Sequence, residues 1–189
     1  MKRLEQVLGF GGILSEESIK YAVTYFQKID LKSLEHFHKA YKIASKVGFV
    51  EEGILRMYNV DENGKEITKY FIRENQFTVD LESYYTQSPG KDAIQAVIPS
   101  TLYVVSKTDL DILAEEVPNM YIFIKSITEA QLLNKIKDND FLNFGDARTK
   151  YLEFIKRYPN LAKYVPQQYI ASYLKITPQS LSRIRTSLD

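Results

Sequence analysis

Residues 165–185 read VPQQYIASYLKITPQSLSRIR and predict two short helices joined by a tight turn. The first helix is expected to run from Pro166 to Leu174, with the small Ala171 where the second helix crosses closely. Thr177 is a favourable N-cap for the second helix, because its hydroxyl can accept a hydrogen bond from a backbone N–H. This stretch is therefore interpreted as a helix-turn-helix.

The two faces of the second helix differ in chemistry. Leu181, Ile184 and Leu188 form the predicted inward face, and Lys175 stands at a turn position that often holds glycine. Polar and basic side chains on the other face suit a DNA groove, because arginine can contact guanine, glutamine can contact adenine and serine can contact phosphates. A helical hairpin with a solvated polar face is the plainer alternative. The predicted DNA-binding residues are Gln167, Thr177, Gln179, Ser180, Ser182, Arg183 and Arg185.

The charge of the chain is uneven, although its net value is only +1. Residues 141–189 carry eight basic and three acidic side chains, a net charge of +5, whereas the first 140 residues have a net charge of −4. A basic terminal unit on an acidic body favours contact with nucleic acid. Chance unevenness of solvated charge would give the same counts, so charge alone does not decide between the two.

Strand-like stretches in the middle of the chain predict an antiparallel β unit. They are residues 54–60, 66–72, 93–97 and 101–106. The Asn63-Gly64 pair between the first two suits the positive φ of a tight hairpin turn. We expect short antiparallel strands with helices on either side.

Helices are predicted before and after this β unit. Ser15 followed by two acidic residues predicts a helix start, and apolar spacing extends that helix over residues 15–29. A short helix is predicted over residues 109–116. After it, Pro118 suits the first turn of a long helix predicted over residues 119–138.

The long helix carries an apolar stripe that could have either of two partners. The stripe can pack on the β unit of its own chain, as amphipathic helices usually do, or it can pair with a second copy. The candidate dimer-interface residues are Met120, Phe123, Ile124, Ile127 and Leu133. A helix break is predicted at residues 138–140 and a new helix opens at residues 143–146, so a domain boundary is expected near residue 140.

Composition excludes several kinds of chemistry. The chain has no cysteine, so disulfides, thiolate zinc sites and cysteine nucleophiles are excluded. His36 and His38 are the only histidines, whereas a typical metal site built on such a pair has a third histidine and a carboxylate, so no metal or cofactor is expected. No glycine-rich phosphate loop or convergent carboxylate pair occurs, and no enzymatic activity is predicted. The chain lacks a signal-like N-terminus and a long apolar run, so a cytoplasmic protein without membrane contact is expected.

Residues 169–185 closely resemble the helix-turn-helix of Crp/Fnr-type bacterial transcription regulators. The resemblance extends upstream to residues 52–58, 61–66 and 80–83 and covers most of the chain from about residue 15. It implies an α+β fold with flanking helices around an antiparallel, jelly-roll-like and cupin-like β roll of the cyclic-nucleotide-binding type. The implied units are the β-roll sensor domain (1–117), a long dimerisation helix (118–140) and an all-α helix-turn-helix domain (141–189).

The resemblance also implies a function, that of a dimeric transcription regulator. Its second helix would contact bases through Gln179, Ser180 and Arg183. The implied partners are a near-palindromic DNA operator and a second copy of the chain, with RNA polymerase and an unknown small-molecule effector as further candidates. We expect no wing hairpin after this helix, because the sequence ends at Asp189.

Two alternative functions stay open at this point. One is a ligand-sensing or protein-interaction module whose C-terminal domain no longer binds DNA. The other is a cupin-type metalloenzyme, for which the two histidines offer too few ligands.

The effector site of cyclic-AMP-binding relatives does not carry over. Val79-Asp80 and Gly90-Lys91 stand where those relatives have a Gly-Glu pair for the ribose and an Arg-Ser pair for the phosphate. Gly90 carries no charge and Lys91 lacks the bidentate fork of arginine, so cyclic AMP binding is not expected. An apolar or neutral ligand is expected instead. The candidate pocket residues are Phe71, Phe77, Asp80, Tyr84, Tyr85 and Lys91.

Overall fold

The computed structural model describes residues 1–143 and 145–188, so expectations that involve Phe144 or Asp189 lie outside the described residues. The strands are β1 (Gln27–Leu31), β2 (His36–His38), β3 (Lys46–Glu52), β4 (Ile54–Val60), β5 (Glu66–Arg73), β6 (Phe77–Thr78), β7 (Ala93–Ala96) and β8 (Ser100–Ser106). The α-helices are α1 (Lys2–Leu8), α2 (Glu16–Val23), α3 (Leu81–Thr86), α4 (Lys107–Glu116), α5 (Met120–Asn143), α6 (Ala147–Arg157), α7 (Pro159–Tyr164), α8 (Gln167–Tyr173) and α9 (Pro178–Thr186). The predicted α+β fold is confirmed.

The strands form two four-stranded antiparallel sheets that enclose an apolar core. One sheet has the order β1-β8-β3-β6 and the other the order β2-β7-β4-β5. Side chains such as Val50, Leu55, Ile94 and Leu102 fill the space between the sheets. Residues on the inner faces of two packed sheets alternate with outward residues, which gives the β roll one shared core.

The predicted hairpin is formed by β4 and β5. Asp61 Oδ1 accepts hydrogen bonds from the backbone N–H groups of Asn63 and Lys65, both at 2.9 Å. Gly64 has a φ of 78° and is the turn residue that takes the left-handed conformation. The turn therefore uses an aspartate cap and one glycine, and Asn63 does not need a positive φ.

Two helix predictions are wrong in their bounds. The helix predicted over residues 15–29 ends at Val23, because Gln27–Leu31 instead forms β1 and pairs with β8. Pro118 does not lie in the first turn of α5, since this helix begins at Met120 after Asn119 with a φ of 64°. In the first place, pairing with a strand far along the chain overrides the local signal, and in the second the left-handed conformation of Asn119 delays the helix start.

The predicted helix break at residues 138–140 is also wrong. Helix α5 continues through this stretch to Asn143. The additional turn places Phe141 and Leu142 in the buried cluster of the C-terminal helices, and that burial offsets the weak helix propensity of the polar residues before them.

Three apolar clusters hold the described residues together. The first lies between β3, β8 and the helices α1, α2, α4 and the beginning of α5. The second is the core between the sheets. The third joins α6 to α9 with Ile54, Phe71 and Val97 on the outside of the β roll. In the part of the chain that the structure describes, no helix has the length and apolar character needed to span a bilayer.

Candidate DNA-binding helices and effector cavity

The turn between α8 and α9 is closed by backbone hydrogen bonds. The Lys175 N–H donates to Ser172 O at 3.1 Å and the Ile176 N–H donates to Ala171 O at 3.0 Å, which is the pattern of a Schellman motif. Lys175 has a φ of 57°, so a lysine takes the left-handed position that usually favours glycine. Ala171 is fully buried, as the close crossing of the two helices requires.

Helix α9 is capped as its sequence predicts. Thr177 Oγ1 accepts from the backbone N–H of Ser180 at 3.1 Å, and Pro178 occupies the first helical turn. The Thr177 hydroxyl also donates to the Ser180 hydroxyl at 2.8 Å. Thr177 and Ser180 are thus engaged with each other and define the start of the helix.

One face of α9 is exposed and polar. Gln179, Ser182 and Arg183 are all exposed there, and Thr186 extends the same face by one further turn. Thr186 was not predicted, although its spacing of seven residues from Gln179 is the signal that would have found it. Arg185 is half-buried at the edge of this face.

The inward face of α9 is shorter than predicted. Leu181 is fully buried and Ile184 is half-buried, but Leu188 is 40% exposed. The prediction of an inward Leu188 is wrong because α9 ends at Thr186, two residues before it.

Two further polar groups flank the helix pair. Gln167 is exposed in the first turn of α8. Arg148, at the beginning of α6, donates from Nη1 to the Ser187 hydroxyl at 2.9 Å. This contact places an exposed cation beside the end of α9, and no signal in the local sequence predicts it.

Helix α8 is attached to the edge of the β roll. Ser172 Oγ accepts from the backbone N–H of Thr68 at 2.9 Å and donates to Glu66 O at 3.2 Å. Strand β5 is an edge strand, so this serine satisfies backbone groups that would otherwise face solvent. Nearby, the Phe71 and Tyr173 rings meet edge to face at 5.3 Å between centroids.

A buried arginine joins the same two units. The Arg56 guanidinium lies between the rings of Tyr58 and Tyr169, 4.1 and 3.6 Å from their centroids. Its Nε and Nη2 donate to Gln95 Oε1 at 3.1 and 2.7 Å, and Nη2 also pairs with Glu66. Because Tyr169 belongs to α8, the helix pair is held against the β roll by contacts that depend on orientation.

A cavity of about 290 Å³ lies between the β roll and α5. Four of the predicted pocket residues line it, namely Phe71, Phe77, Tyr84 and Tyr85. Burial raises the pKa of Tyr84 to about 12, so its hydroxyl stays protonated at neutral pH. The sequence did not predict the contribution of α5, whose lining residues include Ile124, Ile127, Thr128, Gln131, Leu132 and Lys135.

The other two predicted pocket residues do not line the cavity. Lys91 is exposed on the surface. Asp80 is buried, accepts from the Ser83 N–H at 3.3 Å and lies 3.8 Å from His38 Nε2. Burial lowers the pKa of His38 in spite of the nearby carboxylate of Asp80.

The place where the resemblance locates an arginine is closed. A Cβ atom at Gly90 would lie 2.1 Å from Asp80 Oδ2, so no larger side chain fits without displacing the buried acid. Among residues 1–143 and 145–188 there is also no group of three histidine, aspartate or glutamate side chains suited to a metal ion.

The predicted dimer stripe faces mostly inward. Met120 and Phe123 are buried in the core cluster of their own β roll, and Ile124 and Ile127 pack against it. Of the five predicted residues, only Leu133 is exposed, at 57%. The first four are therefore corrected to intramolecular contacts.

The opposite face of α5 is also apolar. It exposes Ile122, Leu133 and Ile136, each more than half accessible. Helix positions 122, 133 and 136 lie within one narrow stripe at 100° per residue. Two apolar faces on one helix explain why the sequence alone could not assign the stripe.

Comparison with known proteins gives matches to solved structures. No protein-family model and no curated protein sequence matches the chain. FixK2 from Bradyrhizobium japonicum has 18% identity and a TM-score of 0.71, covering 86% of this chain and 84% of that chain. The c-di-GMP-responsive global regulator CLP of Xanthomonas campestris has 12% identity and a TM-score of 0.73, with 92% and 91% covered.

A third match carries the family name. A protein from Eubacterium rectale, described as a transcriptional regulator of the Crp/Fnr family, has 12% identity and a TM-score of 0.72. The match covers 97% of this chain and 87% of that chain. Identities this low establish the fold alone. The chain therefore has the fold of the Crp/Fnr-type transcription regulators.

Proposed function

We propose that this protein is a DNA-binding transcription regulator that acts as a homodimer and has no catalytic activity. The observation that carries the proposal is the exposed face of α9, where Gln179, Ser182 and Arg183 project from a helix whose start and turn are both fixed by hydrogen bonds. A recognition helix has to present its side chains on a rigid support, because base contacts depend on position to within a fraction of an ångström.

Arg183 is the residue best placed to read a base. It is exposed near the middle of α9, and no carboxylate of a described residue forms an ion pair with it. Its guanidinium is therefore available for a bidentate contact with guanine. Gln179 could contact adenine, and Ser182, Arg185, Gln167 and Arg148 could contact phosphates or base edges. Thr177 and Ser180 act mainly by fixing the helix start.

The dimer interface we propose is the exposed stripe of α5. Ile122, Leu133 and Ile136 form it, which keeps one of the predicted interface residues and replaces the other four. The boundary near residue 140 is kept, because Phe141 and Leu142 belong to the C-terminal cluster even though the helix is continuous. A two-fold dimer would bind a near-palindromic operator with half-site centres about 34 Å apart, or a multiple of that spacing.

Regulation would come from partners beyond DNA. We assign a small-molecule effector to the cavity beneath α5, because that helix also carries the proposed dimer stripe. A ligand there could change the position of the helix and thereby the spacing of the two DNA-binding units. We also propose contact with RNA polymerase, to which we assign no residues.

The test is selection of bound fragments from a pool of genomic DNA, followed by affinity measurements on the selected site at several salt concentrations. Arg183→Ala should weaken specific binding by about 1–3 kcal/mol and relax base preference at one position in each half-site. Lys20→Ala is the matched control, since it removes the same charge from an exposed site on α2. Equal affinity of Arg183→Ala and Lys20→Ala for the selected site, or no selected site at all, would contradict the proposal and favour a module that does not bind DNA.

A further inference from the structure

The lining of the cavity beneath α5 is mainly apolar with a few polar groups. Phe77, Ile124 and Ile127 are among the side chains that form its walls. Within the described residues, the charged groups that line it are Lys135 and Asp138. Ligand sites commonly combine apolar walls with a small number of placed polar groups that fix orientation.

Lys135 lacks an acidic partner among the described residues. Its Nζ lies 4.0 Å from the centroid of the Tyr70 ring, and no carboxylate of the described chain lies within 4 Å of it. Burial lowers the pKa of this ammonium, and nearby Lys69 lowers it further. An opposite charge brought close to the ammonium would favour its charged form.

Two acids in the surroundings of this ammonium are already engaged. Asp92 pairs with Lys69 at 2.6 Å. Asp138 Oδ1 accepts a hydrogen bond from the Tyr158 hydroxyl and lies 3.7 Å from Arg157 Nη1. Each of these carboxylates therefore has a cation close to it, which reduces the repulsion that an anion beside Lys135 would meet.

A second polar group on the cavity wall is also unsatisfied. Thr78 lines the cavity and is 4% exposed, and its hydroxyl has no hydrogen-bond partner among the described residues. Burying a hydroxyl without a partner is unfavourable, so a ligand oxygen or a water molecule would be favourable there. Large apolar side chains, Leu132 and Tyr85, are exposed at the rim.

We propose that this cavity binds an elongated apolar molecule carrying a single carboxylate. The carboxylate lies at Lys135, and the apolar body extends along Phe77, Ile124 and Ile127. The cavity can bind this ligand in the absence of DNA. That the bound ligand acts as an effector rests on the proposed function.

The chemistry favours one negative charge on an apolar body. One ammonium can compensate one carboxylate, and a second buried charge would stay unpaired, which is strongly unfavourable. A cyclic nucleotide would place a polar ribose and base against walls that are mainly apolar. The closed corner at Asp80 and Gly90 offers its phosphate no cation.

Calorimetric titration of the full chain with ten-carbon probes tests the proposal. Decanoate, decanol and decylammonium have the same chain length and differ in the charge of the head group, and each is used below the concentration at which it forms micelles or separates from solution. We expect saturable binding of decanoate, at least tenfold weaker binding of decanol, and no saturable binding of decylammonium. Cyclic AMP, titrated in parallel, should show no saturable binding in the micromolar range.

A charge-removing variant identifies the residue. Lys135→Met removes the charge but keeps an unbranched side chain that is one atom shorter, and it should weaken decanoate binding about tenfold or more, while leaving decanol binding within about twofold. Lys137→Met is the matched control, because it removes an exposed charge two residues along α5 that does not line the cavity. Thermal unfolding of both variants verifies that they fold.

Each contrary result overturns the proposal. Decanol binding as tightly as decanoate would show that the carboxylate is not recognised. An unchanged preference in Lys135→Met would show that Lys135 does not recognise it, and the absence of saturable decanoate binding would reject the ligand class. Because these titrations contain no DNA, a failure here leaves the DNA-binding proposal standing, and a failure of DNA binding leaves this one standing.

Discussion

Helix α5 and the pair α8–α9 differ in how many apolar faces they present. In the helix pair, Ile170, Leu174 and Leu181 are fully buried and the polar side chains lie on the other side. In α5, Phe123 is buried in the β roll while its neighbour Ile122 is 52% exposed. The buried face of a helix with one apolar face can be assigned from the sequence. For a helix with two apolar faces, the sequence does not tell which face packs on which partner.

The two regions also differ in what fixes their ends. The helix pair has a threonine cap and a hydrogen-bonded turn, and both are determined by residues a few positions apart. The end of α5 depends on Phe141 and Leu142, which pack against helices that come later in the chain. Local sequence rules therefore predict the ends of α8 and α9 well and the end of α5 poorly.

The largest expected effect concerns the exposed face of α5. The double change Leu133→Ala and Ile136→Ala should weaken dimerisation by about 3 kcal/mol or more, because each position occurs twice in a symmetric dimer. Sedimentation equilibrium over a range of concentrations measures it, with Val60→Ala at an exposed apolar site as the control. A wild-type monomer at micromolar concentration, or an unchanged dissociation constant in the double variant, would remove the proposed interface.

The next largest effect concerns the core of the helix pair. Leu181→Ala should lower the free energy of unfolding by about 2–5 kcal/mol, because it leaves a cavity in a fully buried site. Urea unfolding measures the loss. Leu188→Ala serves as the control and should stay within about 0.5 kcal/mol, because Leu188 lies beyond the end of α9. A large loss in Leu188→Ala would mean that the predicted longer inward face is right after all.

A smaller effect is expected at the helix cap. Thr177→Ala should lower the free energy of unfolding by about 1 kcal/mol, because it removes the acceptor for the Ser180 N–H. Thr186→Ala, whose hydroxyl bonds back to Ser182 O within the helix, should change stability less. If the two variants lose the same stability in urea, Thr177 is not acting as a cap.

The smallest effect is expected at the turn. Lys175→Gly should raise the free energy of unfolding by up to about 1 kcal/mol, since glycine takes a positive φ without a steric cost. Lys163→Gly, in α7, should lower it by about the same amount, because glycine is unfavourable within a helix. Chemical denaturation of the two variants should therefore shift in opposite directions.

Much of the fold follows from patterns that are local in sequence. The β4–β5 hairpin, the cap at Thr177 and the left-handed turn at Lys175 each depend on neighbours within a few residues. The end of α2 and the beginning of β1 could not be predicted, because Gln27–Leu31 becomes a strand only by pairing with β8, more than 60 residues later. Intrinsic propensity is a weak prior when such partners exist.

The candidate sites show the same division. The exposed residues of α9 were predicted because a helical period sorts their side chains by face. The sequence predicts only the cavity residues that the β roll contributes. It does not predict Lys135, because the direction of a lysine side chain in a polar stretch of helix cannot be inferred from its neighbours. From the sequence, Gly90 only lacks the charge of the arginine expected at this position. The structure shows that the position is too close to Asp80 for any side chain.

The sequence by itself determined the α+β class, the hairpin and the polar outer face of the last helix, because caps, turns and helical periods act over a few residues. Only the tertiary structure decided which face of α5 covers the β roll, where α5 ends and how α8 is attached to β5 through Ser172 and to β4 through Arg56. Those features join residues that are far apart in the chain, and their energy comes from burial and from hydrogen bonds that exist only after both partners have folded.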